Sequence, residues 1–370
     1  MKFLSEQQVP TIARSDAELR SALHIPSLDG IRAVSFALVF LGHAGLNDII
    51  PAGFGVTVFF LLSGYLITTL LRVEFEKTKT ISFGKFYLRR ALRILPPFYL
   101  VFLIAFLASL AKIVPPALEP ASMLALLLHY SNYYIAEYGH KGFLMGTGVY
   151  WSLAVEEHFY LVFPCVLWLM FRYSKERRKV ALYLLTICGL TLLWRCALWF
   201  LGGVTDERIH VATDTRFDSL ILGAVLAVYE NPALDQTRLS EPTWKYLLLP
   251  MGVLGLLGGF AVRNPAFRET ARYTIQGLSL LPIFVCAVRY PDWLFMRLLN
   301  LRPVVFLGAL SYSLYLVHLF VLATVDLHFR ERIGALDTAV VSLGFSILLA
   351  WGIYIAVERP CSSFRRQLRA

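Results

Sequence analysis

The chain has 370 residues, 57% of them apolar and 16% charged, with a mean hydropathy of +0.62. These values exclude a soluble globular enzyme: stretches of about 20 apolar residues, each enough to cross a hydrocarbon layer of roughly 30 Å, recur from Ile31 to Val357. The formal charge of +10 does not point to nucleic acid, because basic residues in a multi-pass protein report orientation and these are distributed accordingly.

Residues 1–24 are polar and lack the apolar run and small-residue cleavage site of a secretory signal, so they read as a retained cytoplasmic segment. Apolar segments follow near 31–47, 54–71, 96–114, 151–171, 180–201, 216–230, 244–262, 272–288, 304–325 and 338–357. The pattern predicts an all-α protein of about ten transmembrane helices, one membrane domain over 25–360, a short tail over 361–370, and both termini cytoplasmic. With that orientation the inner segments hold 25 of the 35 Lys and Arg residues. A shorter apolar run, 121–135, is bracketed by Pro115, Pro116 and Pro120 and reads as re-entrant or interfacial. Counting it as an eleventh span would turn the basic cluster of 172–179 outward.

Ionisable groups inside apolar segments need a reason to be there. Arg32 and His43 share the first segment, DGIRAVSFALVFLGHAG; on a straight helix they lie about 20° apart around the axis and roughly 16 Å apart in height. The third segment opens on GKFYLRRALRILPPFY, where Arg90 and Arg93 share a face and Arg89 lies one turn from Arg93. Guanidinium forks suit phosphates, although basic juxtamembrane runs usually report topology or contact lipid headgroups. The fourth segment begins VYWSLAVEEHFYLVFP, which puts Glu156 and Glu157 about 9 Å below its outer end, a depth comparable to His43. One of the two is expected to orient His43 as a general base, the competing reading being a structural polar network with His158. Asp218, His318 and Glu358 are better read as interhelical polar contacts. Cys165, Cys188, Cys196, Cys286 and Cys361 show no paired spacing, and neither a disulfide framework nor a metal site is implied.

With these segments in hand, the chain resembles the acyltransferase 3 family of membrane-bound acyltransferases over nearly its whole length. LDGIRAVSFALVFLGHAG resembles the family's first helix with its Arg and His, GVTVFFLLSGYLIT its second, KFYLRRALRILPPFY its Arg-x-x-Arg segment and YWSLAVEEHFYLVFP its Trp-Ser-Leu-x-Val-Glu-Glu region. RFDSLILGAVLA, LGALSYSLYLVH and VERP then follow in the family's order. The resemblance implies a multi-pass enzyme of the cytoplasmic (inner) membrane. It would take an acyl group, usually acetyl, from cytoplasmic acyl-CoA as donor substrate, with no permanently bound cofactor. The acceptor would be a hydroxyl of a sugar, a lipid-linked glycan, peptidoglycan or a small natural product. His43 and Arg32 would be essential, and Arg90 and Arg93 would meet acyl-CoA, which enters near Arg89. His158 departs from the Gln that many members carry. The rival reading is a secondary transporter using the intramembrane His, Arg and Glu. It lacks support from an inverted repeat or from matching broken helices.

Overall fold

The computed structural model describes residues 25–47, 49–116 and 119–367. The expected cytoplasmic segment 1–24 lies outside the described residues, as do residues 368–370 of the tail. Among the described residues the chain is helical, without strands.

Helix α1 (Pro26–Leu41) starts on a proline whose missing N–H is no loss in a first turn, with Asp29 facing the positive end of the helix dipole. It runs into a π turn, Gly42–Leu46, that carries His43 and is kinked at Gly45, where φ is 102°. Helices α2 (Ala52–Thr78) and α3 (Phe83–Leu110) follow. The segment expected to be re-entrant is two short helices, α4 (Pro120–Leu127) and α5 (Ser131–Tyr138), broken at His129, whose φ is 56°. A 3-10 turn, Gly148–Tyr150, leads into α6 (Trp151–Tyr173), and then come α7 (Arg177–Phe200), α8 (Asp206–Val211) and α9 (Thr213–Val228). The rest comprises α10 (Leu249–Ala261), α11 (Pro265–Glu269), α12 (Ala271–Arg289), α13 (Met296–Leu299), α14 (Arg302–Ala309), α15 (Ser311–Ile353) and α16 (Arg359–Gln367).

Eight helical runs among the described residues are long and apolar enough to cross a membrane. The last of them, Ser311–Arg365, has 55 residues and covers the ninth and tenth expected segments. A straight helix of that length would extend about 80 Å, more than twice a bilayer's hydrocarbon core. The run is broken at Gly334, where φ is 80° and ψ 170°. The sixth expected segment is α9, whose 16 residues do not count among the eight runs and are buried except at Asp214 and Phe217.

Helix α9 is the centre of the bundle, packed against α2, α7 and α12. Its crossing with α2 is close because two glycines face each other's backbone. A Cβ on Gly64 would lie 1.9 Å from the Leu220 carbonyl oxygen, and one on Gly223 would lie 2.0 Å from that of Leu61. Small residues let membrane helices approach until backbone touches backbone, which is where dispersion and interhelical hydrogen bonds gain most. Asp218 adds a buried tie: it accepts from Arg195 of α7 at 2.7 Å and from Thr274 of α12 at 2.6 Å. The outer surfaces of α6, α7 and α15 are apolar and exposed, with Leu161, Val162, Leu193, Trp194, Phe345 and Leu348 turned away from the bundle, as suits contact with lipid.

At the Thr78 end of α2, Arg72 is buried and forms a two-pronged pair with Asp235, at 2.7 and 2.5 Å, in the connection after α9. Arg177 joins the same carboxylate at 2.9 Å. This clasp ties α2, α7 and the connection together at one end of the bundle.

Candidate active site

Two cavities lie along the bundle, and a single layer of side chains separates them. The first, about 80 Å³, is lined by Arg32 of α1, Ser63 of α2, Arg90 and Arg93 of α3, Glu156, Glu157 and Tyr160 of α6, and Ser311, Tyr312 and Tyr315 of α15. Arg32 is paired with Asp29 one turn away. Glu156 accepts from Ser63 Oγ at 2.8 Å and from the Tyr160 hydroxyl at 2.9 Å, and Arg90 lies 4.8 Å above the Tyr160 ring. Oε1 of Glu157 is buried without a hydrogen-bond partner. Among the described residues neither Arg90 nor Arg93 has a carboxylate within 4.0 Å. Two guanidinium groups that face a cavity without being held in an ion pair are poised for an anionic ligand, with Glu156 and Glu157 in the same lining. Arg89, expected to join them, turns instead to Glu74 at 3.4 Å and does not line the cavity.

The second cavity, about 450 Å³, lies toward the other end of the bundle. His43, His140, Trp151, Glu207 and His210 line it together with Phe143, Met145 and Leu319. Helix α8 brings in Glu207 and His210; Thr205 starts it by accepting from the Arg208 N–H, and Asp206 and Glu207 occupy the first turn, where negative charge favours the dipole. His140 and Glu207 pair at 3.2 Å.

Hydrogen bonds define the state of His43. Its Nδ1 lies 3.1 Å from Nε2 of His318, and the rings stack at 22°. His318 is fully buried, and its Nδ1 lies 2.8 Å from the Tyr315 carbonyl oxygen. A carbonyl only accepts, so the neutral His318 ring carries its proton on Nδ1 and presents a lone pair at Nε2. His43 must therefore donate from Nδ1, which leaves its own Nε2 as a free lone pair. Among the described residues that atom has no hydrogen-bond partner.

The layer between the cavities is built from the start of α6 and the first turns of α15. Ser152 Oγ and the Tyr315 hydroxyl lie 2.6 Å apart, and Tyr315 donates to the Val149 carbonyl at 3.0 Å. The Tyr150 hydroxyl donates to the Leu316 carbonyl at 2.9 Å. Ser152 and Tyr315 line the first cavity, Val149 and Trp151 the second.

This geometry corrects one expectation. Glu156 and Glu157 do not orient His43: both line the arginine cavity, and the partner of His43 is His318. The depth of a residue on α6 was legible, but the neighbour at that depth was not, and α15 occupies the place assigned to a glutamate. The straight-helix relation between Arg32 and His43 also ends at Leu41, where wider π hydrogen bonding changes the phase. His158, the departure from the family pattern, turns to Thr213 Oγ1 at 2.7 Å. Glu358 is held by Ser313 and Asp218 by Arg195, interhelical contacts as their sequence settings suggest. His318, read from sequence only as an interhelical polar contact, is the partner of His43, and His210 is a cavity group that sequence reasoning passed over. A lone histidine in each of two apolar segments was the available signal for the first; a loop histidine offered none for the second.

The chain is 28% identical over 359 residues to O-acetyltransferase OatA of Staphylococcus aureus strain NCTC 8325 / PS 47, covering 93% of this chain and 58% of that protein. It is 28% identical over 353 residues to a putative O-acetyltransferase of S. aureus strain COL, with the same coverage. The chain thus spans less than two thirds of the length of these relatives. No solved structure matches. Residues 25–355 match the family model described as an acyltransferase domain, and the chain belongs to that family, acyltransferase 3.

Proposed function

We propose that the protein is a membrane O-acyltransferase that moves an acyl group, acetyl foremost, from cytoplasmic acyl-CoA to a hydroxyl of a sugar or lipid-linked glycan. The observation that supports this reading most is the His43–His318–Tyr315 chain of hydrogen bonds. It leaves a basic Nε2 open in one cavity, one side-chain layer from the other cavity, where Arg90 and Arg93 have no ion-pair partner among the described residues. The reading takes ten spans, the broken run of α15 counting as two and α9 as one, with both termini and the Arg90 end of the bundle cytoplasmic in an inner membrane.

On this reading Arg90 and Arg93 hold CoA phosphates, while Arg32, Glu156 and Glu157 line the path of the pantetheine arm. The acyl end passes the Ser152–Tyr315 layer. In the second cavity Nε2 of His43 takes the proton of the acceptor hydroxyl as that oxygen attacks the acyl carbon, and His318 accepts the Nδ1 proton that keeps the ring in the correct tautomer. Trp151 offers the flat apolar face on which a sugar ring packs.

The test is release of free CoA from acetyl-CoA by membranes holding the protein, with a mixed extract of envelope glycans as acceptor. Acceptor-dependent release should occur with the unaltered protein and fall to background with His43→Ala at equal expression. Equal release from both removes His43 from the chemistry.

A further inference from the structure

His210 faces the same cavity as His43, and its surroundings impose the opposite tautomer. Its Nδ1 lies 3.1 Å from the Tyr273 hydroxyl and 3.5 Å from a guanidinium nitrogen of Arg216. Arg216 is fully buried on α9 and has no carboxylate partner among the described residues; it is held between aromatic rings, 4.1 Å from the centre of Tyr273 and 5.6 Å from that of Trp151. The same guanidinium donates to the His210 carbonyl at 3.0 Å and to Thr57 Oγ1 at 3.0 Å, so residue and ring are clamped as a unit. A proton on Nδ1 of His210 would point at a buried positive charge. The Tyr273 hydroxyl gives its proton to Glu269, but a guanidinium only donates, so the Arg216 N–H directed at Nδ1 requires a lone pair there and leaves the proton on Nε2. The Nε2 atom has no hydrogen-bond partner among the described residues and is not enclosed by protein.

The ring also stays neutral. Burial, followed by the charges of Arg216 and Arg272, lowers its pKa to about 3. Glu269 is the carboxylate on this side, and it is engaged by the Tyr273 hydroxyl at 3.0 Å and by Arg272 at 3.6 Å.

We infer that His210 is a second catalytic residue, whose Nε2–H donates a hydrogen bond to the carbonyl oxygen of the acyl group while His43 handles the proton. This deepens the acyltransferase reading and rests on it. The acceptor oxygen bonds to the acyl carbon and its proton goes to Nε2 of His43. The carbonyl π pair moves onto oxygen, where the His210 N–H and the field of Arg216 behind it stabilise the negative charge. That pair re-forms the carbonyl as the C–S bond breaks, and the departing thiolate takes the proton from His43. One neutral histidine that accepts and one that donates are what acyl transfer to a hydroxyl requires on the two sides of the acyl carbon.

The full-length protein, purified in lipid vesicles, is assayed for free CoA from acetyl-CoA with the mixed envelope glycan extract, alongside His210→Ala, His210→Gln and His43→Ala. His210→Ala should lose about 10²–10³-fold in kcat with KM for acetyl-CoA unchanged. His210→Gln keeps an N–H donor but cannot take a proton, and should retain more than a tenth of kcat with the acid limb of the pH profile in place. A kcat for His210→Ala within threefold of the unaltered protein, while His43→Ala is inactive, overturns the role of His210 alone. A glutamine variant as inactive as alanine, or one whose acid limb disappears, overturns it as well, since His210 would then be serving as structure or base. Unaltered protein that releases no CoA overturns the acyltransferase reading and this inference together.

Discussion

His43 can serve as a base only while another group accepts its Nδ1 proton, and His318 does this from the interior of the bundle. Replacing His318 with alanine should lower kcat by about 10²–10³-fold with little change in KM, because the ring would be free to present Nδ1 or Nε2 to the acceptor. His318→Gln, whose amide oxygen can still accept from His43, should recover part of that loss. An alanine variant with unaltered kcat would refute the positioning role. The residues that sequence made legible are those whose cost is local. Arg32, His43, Arg90 and Arg93 stand out because charge or polarity in an apolar segment is expensive wherever the segment ends up. His318 takes its meaning from His43 and His210 from Tyr273, both far away in the chain, as well as from the near neighbours Tyr315 and Arg216, and periodicity carries no information about which helix will be the neighbour. Glu156 and Glu157 show the same limit from the other side, correctly marked as polar groups within a span but assigned to the wrong partner.

Among the elements, the crossing of α2 and α9 decides whether the two cavities hold their shape, because α2 supplies Ser63 and α9 supplies Arg216. Gly223→Leu should destabilise the detergent-solubilised protein by about 3 kcal/mol, seen as a fall in its thermal midpoint, since the obstructing atom is the backbone carbonyl of Leu61. Gly84→Ala, where a Cβ meets open space, should leave the midpoint unchanged and serves as the control. The clasp at the end of α2 gives a pH-dependent counterpart. Burial by itself would raise the pKa of Asp235, but hydrogen bonding and charge from Arg72, helped by Arg177, outweigh it and hold the carboxyl below its ordinary value. A depressed folded-state pKa means that the unfolded chain protonates first as acid is added. The clasp therefore contributes fully above about pH 4, the ordinary carboxyl range, and its contribution is lost as pH falls through the folded-state value. Midpoints measured from pH 6 downward should fall less steeply for Asp235→Asn than for the unaltered protein; parallel curves would remove Asp235 from the acid response. Apolar runs foretold most of these helices, whereas the short buried α9 and the break at Gly334 arise from packing and from one backbone conformation.

For the molecule as a whole, orientation is the property that turns two cavities into a donor side and an acceptor side. With the five native cysteines replaced, a cysteine at Glu207 should react with a membrane-impermeant maleimide in intact spheroplasts, and one at Lys175 only after permeabilisation. The reverse pattern would invert the proposed topology. On the proposed route, clefts reach toward each other from the two faces, and much of an energised membrane's voltage falls across the thin layer containing Ser152 and Tyr315. Moving one unit charge through the full potential costs about 2.3 kcal/mol per 100 mV, so carrying a multiply charged CoA outward would be opposed strongly. Only the neutral acyl end needs to cross. With the phosphates retained at Arg90 and Arg93, the septum acts as an electrical insulator through which a chemical group passes while its charged carrier stays behind.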